Sequence, residues 1–61
     1  MKIPILVDKG DMELMTDKQL KAYINKVGNW LDEHQYELSN NVWAKMNRNV
    51  WEAVEEKRSR K

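Results

Sequence analysis

One imidazole, His34, and the absence of cysteine set narrow limits on the covalent chemistry open to this chain. Nucleophilic catalysis needs a nucleophile and a base within hydrogen-bond reach. His34 falls near the apolar side of an expected helix, close to its C-terminus, where the helix dipole favours a positive ring. That place suits a cap or a half-buried structural histidine. Glu52, Glu55 and Glu56 form a carboxylate group, but Lys57 and Arg58 stand directly beside it. On a helix such neighbours make a solvated, self-neutralising face rather than an acid–base pair. Gly10 and Gly28 stand alone, without the glycine-rich run that cradles phosphate. No carboxylates gather around His34 in sequence. The expectation is no catalytic residue, no metal ligand set, no cofactor, no small-molecule substrate and no enzyme.

Binding chemistry is better represented. Asn-Val-Trp occurs twice, at Asn41–Trp43 and Asn49–Trp51, eight residues apart. A helix of 3.6 residues per turn does not repeat in eights, so the two indoles point different ways. With Val42 at zero and a step of about 100° per residue, Ala53, Met46, Val50, Trp43 and Val54 fall at about 20°, 40°, 80°, 100° and 120°. They form one expected core face. Trp51 falls at about 180°, outside that face. It lies in a stripe of heptad-like spacing made by Ala44, Asn47, Arg48, Trp51, Val54 and Arg58. An outward aromatic flanked by arginine is typical of binding hot spots, and the stripe suits docking on another helix or on a second copy of the chain.

Nucleic acid is the alternative partner. Eleven basic and ten acidic groups nearly cancel, but unevenly. Residues 1–44 carry five lysines and seven carboxylates, a net of −2; residues 45–61 carry six cations and three glutamates, a net of +3. Lys45, Arg48, Lys57, Arg58, Arg60 and Lys61 would supply phosphate and base contacts, with asparagines interleaved. The three glutamates on the same helix oppose that reading.

The elements that must position these groups follow from local patterns. Sixty-one residues allow one domain, with too little interior for more than marginal stability. Without cysteine, self-association or docking on a partner is the remaining route to extra burial. Ile3, Ile5 and Val7 alternate, Asp8-Lys9-Gly10 is turn chemistry, and Met12 and Leu14 alternate with acids. Residues 1–15 are therefore expected as a β-hairpin, Lys2–Val7 against Asp11–Met15, or as an extended arm. Thr16 and Gln19 form a capping-box pattern opening a helix over 16–35. Its apolar arc is Leu20, Tyr23, Ile24, Val27, Trp30 and Leu31, with Gly28 tolerated beside it. Ser39 is a good N-cap for a second helix over 39–58, with Leu38 and Trp43 in the positions of a hydrophobic staple. The short link predicts an antiparallel pair. Residues 59–61 are expected to fray. No apolar run approaches a membrane span or a signal-peptide core, which makes the cytoplasm the default location.

Tyr36–Asn41, Tyr-Glu-Leu-Ser-Asn-Asn, resembles the Tyr-Glu-Leu-Ser-Asp-Asn stretch of small enterobacterial nucleoid-associated regulators. The likeness covers six residues and implies only a protein that works by binding a regulator. The combined expectation is an α-rich small domain, α+β if the hairpin forms: a short β-hairpin or extended arm, then an antiparallel two-helix hairpin. Its expected role is to bind a protein partner, or a second copy as a homodimer, and so modulate or inhibit that partner's activity. Modules of this size are common among accessory proteins of phages and mobile elements. The alternative is a dimeric DNA-binding transcriptional regulator using the basic C-terminal helix.

Overall fold

A computed structural model describes residues 3–60. Its order is an extended arm over residues 3–8, α1 (Lys9–Leu14), α2 (Asp17–His34), a 3₁₀ turn (Gln35–Glu37) and α3 (Asn40–Ser59). The molecule is elongated, 36 × 17 × 16 Å. The long axis is set by α2 and α3, since 18 and 20 helical residues at about 1.5 Å each span about 30 Å. Their direction is antiparallel: Tyr23 of α2 bonds Asn49, and Asp17 at the start of α2 bonds Arg60 at the end of α3.

Both long helices begin where their caps direct. Gln19 N–H donates to Thr16 Oγ1 at 3.1 Å, and Thr16 N–H donates to Gln19 Oε1 at 2.9 Å, so the expected capping box is formed. Ser39 Oγ accepts from Val42 N–H at 3.3 Å. The core consists of Met12 from α1, Leu20, Tyr23, Val27 and Leu31 from α2, and Met46 and Ala53 from α3. The α2 residues are spaced by threes and fours, which keeps them on one side of the helix. A Cβ built on Gly28 meets nothing within 4 Å, so no neighbouring backbone demands a glycine there.

Three expectations need correction. First, no strand occurs among the described residues, and the chain over Lys9–Leu14 is helical. Lys2, the start of the expected first strand, lies outside the described residues. Residues 3–8 form neither helix nor strand. Two strands alone bury little and are marginal in water. Here one helical turn sends Met12 into the core at 0% exposure and leaves Leu14 84% exposed, so the alternation of the two does not mark one sheet face. Second, Val42 and Trp43 are not core; each is 37% exposed. They occupy the first turn of α3, whereas α1 closes on the opposite end of the helix pair, where Arg60 binds it. Third, the chain end does not fray at Ser59 and Arg60. Ser59 is helical, and Arg60 is held by five hydrogen bonds. Lys61 lies outside the described residues.

Candidate functional site

Two side-chain clusters bind the thin fold together, and they determine which surface of α3 is left open. In the first, Val7 N–H donates to the Tyr23 hydroxyl at 2.9 Å, the hydroxyl donates to Asn49 Oδ1 at 2.5 Å, and Asn49 Nδ2 donates to Val7 C=O at 2.8 Å. The ring of bonds satisfies both peptide groups of an arm residue that has no strand partner. Burial raises the Tyr23 pKa above the ordinary phenol value, opposed by the Val7 N–H, which lowers it. In the second cluster the Arg60 guanidinium donates to Met12 C=O at 2.8 Å, Glu13 C=O at 3.2 Å and Met15 C=O. It also reaches Asp17 Oδ1 at 3.2 Å and Glu56 Oε2 at 3.1 Å. The guanidinium thus adds donors to carbonyls around the C-terminus of α1, where Met12 C=O also accepts from Met15 N–H.

Neither cluster was legible as such in the sequence. Asn49 falls within about 20° of Val42 on the wheel of α3, on the apolar side. A polar group there must find a partner on folding, and that was the available signal. Arg60 carried only the local signal of Glu56 four residues earlier; its other acceptors lie more than forty residues away.

With the arm and α1 occupying one side of α3 and α2 another, the remaining face is open. Trp51 is 54% exposed, and Ala44, Arg48 and Arg58 beside it are exposed. Asn47 and Val54 are half-buried. Val54 and Arg58 also line a groove with Lys21, Ile24 and Asn25 of α2. The six stripe residues are thus gathered along one side of α3. Among the described residues, the ion pairs involve His34, Glu37, Asp17, Glu56 and Arg60; Arg48 and Arg58 make none.

The cations of the nucleic-acid alternative are not gathered. Lys45 and Arg48 edge a shallow depression with Asp8, Lys9 and Glu52. Lys57 and Arg58 line the groove toward α2. Arg60 is spent on α1, and Lys61 lies outside the described residues. His34 Nδ1 lies 2.8 Å from Trp30 C=O, and its ring stacks on the Trp30 indole with centroids 4.4 Å apart. That is a half-buried structural placement, with Glu37 Oε2 at 4.0 Å. No group of three or more His, Asp or Glu residues placed to hold a metal occurs among the described residues. No helix among them is long and apolar enough to cross a membrane. No family model, curated protein or solved structure matches the chain.

Proposed function

We propose that this chain is a non-enzymatic interaction module that binds a protein partner through the outer face of α3 and modulates or inhibits that partner. The observation that carries the reading is Trp51. It sits in the middle of a 20-residue helix, yet 54% of it is exposed while the core closes without it. A large aromatic left in water forgoes the burial that makes such residues stabilising, and contact with another molecule recovers it. Arg48 and Arg58 flank the ring, and Ala44 keeps one side of it low enough for another helix to approach.

The nucleic-acid alternative is weaker on geometry. A phosphate backbone is tracked by cations on one continuous surface. Here Lys45 and Lys57 line different depressions on either side of the stripe that carries Arg48 and Arg58, and Arg60 is consumed within the fold. An electrophoretic shift on random duplex at low salt would favour that alternative.

Affinity capture from the native host's lysate, with the wild-type chain and Trp51→Ala side by side, tests the proposal. The expected result is at least one protein retained by the wild type and lost by the variant, with unchanged helical circular dichroism. An identical set of captured proteins would contradict it.

A further inference from the structure

Resting on that reading, we infer that the outer face of α3 docks on the same face of a second copy of this chain, antiparallel, in one register. Ala44, Trp51 and Arg58 recur every seven residues, and Asn47 and Val54 recur every seven between them. This three-four alternation is the seam of a two-helix coiled contact. Arg48 and Glu55 each follow the inner row by one position, on the far side of the seam from α2. Both are exposed, and among the described residues neither makes an ion pair. They are seven residues apart, about 10 Å along the helix, too far to pair with each other.

A two-fold axis perpendicular to α3 supplies the missing partners. In an isologous contact, if residue i meets residue j of the second copy, then j meets i. With the axis beside Trp51 and Glu52, Trp51 meets Val54 of the second copy, and Arg48 meets its Glu55. Symmetry makes each contact twice. The centre is then two tryptophan–valine layers, and one flank carries two opposite-charge pairs.

The parallel, in-register arrangement lacks this match. It sets Arg58 against Arg58 on the seam and offers neither Arg48 nor Glu55 an opposite charge. The Tyr23–Asn49–Val7 ring and the Arg60 cluster lie on the other side of α3, so antiparallel pairing disturbs neither.

Sedimentation equilibrium of the full chain tests the register. The wild type is expected to form dimers. Arg48→Glu and Glu55→Arg each place like charges together twice, and each should weaken self-association by about tenfold or more. The double variant R48E/E55R restores opposite pairs and should dimerise again, with all four proteins equally helical. Single chains at every wild-type concentration would overturn the inference, as would a double variant that fails to recover. The first failure leaves the docking face itself to the Trp51→Ala capture comparison. If that substitution still removes a captured protein, the face binds a different partner and only the second-copy inference falls.

Discussion

The Tyr23 hydroxyl donates to Asn49 Oδ1 at 2.5 Å, joining α2 to α3 across 26 residues, and both side chains bind the peptide groups of Val7. One bond thus couples the helical pair to the arm that covers it. Tyr23→Phe deprives the Val7 N–H and Asn49 Oδ1 of their partner while leaving the ring in place. Leaving such groups unsatisfied costs about 1–3 kcal/mol. Urea unfolding should register that loss, and a similar one for Asn49→Ala.

The same hydroxyl predicts an alkaline limit. Burial raises its native pKa, against the smaller lowering by the Val7 N–H, so the native value lies above the unfolded one. Its contribution is complete below the unfolded value, about pH 10, and is lost as pH rises through the raised native value. The wild type should lose thermal stability over that window more steeply than Tyr23→Phe. Parallel curves for the two proteins would contradict the assignment.

Arg60 ties the end of α3 to the C-terminus of α1, and a point charge should not replace it. Lysine lacks the planar fork whose two terminal nitrogens reach the Met12 and Met15 carbonyls together. Arg60→Lys should lower the urea midpoint and speed amide exchange at Met12 and Met15, whose N–H groups close α1. Met12→Ala, which empties a fully buried site, should cost about 2–5 kcal/mol by the same unfolding measurement.

Gly28 lies inside α2 with open space where a Cβ would be. Gly28→Ala should therefore stabilise the protein by about 0.5–1 kcal/mol, read as a rise in the thermal midpoint. Destabilisation would mean that something passes closer to this position than the fold shows.

How much was legible follows from the range of each interaction. Thr16 with Gln19, and Ser39 with Val42, act within three residues, so both helix starts could be read from the sequence. The outward position of Trp51 follows from helical periodicity alone. The same periodicity misplaced Val42 and Trp43. It assigns a side to a residue but does not reveal that cover is missing at one end of a short bundle. Residues 9–14 failed for a related reason. Six residues with Met12 and Leu14 alternating fit a strand, and only Met12's burial against the two long helices decides for one turn of helix. Apart from Glu56 with Arg60, the bonds of the ring around Val7 and of the Arg60 cluster link residues 16 to 48 positions apart, which no local pattern encodes. The gathering of the stripe along one side of α3 was readable; the scattering of the cations was not, because it depends on where the arm, α1 and α2 lie.

Trp51 offers the most direct reading of the docking face. In a variant keeping it as the sole tryptophan, acrylamide quenching should be strong in dilute solution and fall as concentration rises and the rings pair. An indole shielded even at the lowest concentration would contradict the outward docking face, and one equally open at every concentration would contradict its pairing with a second copy.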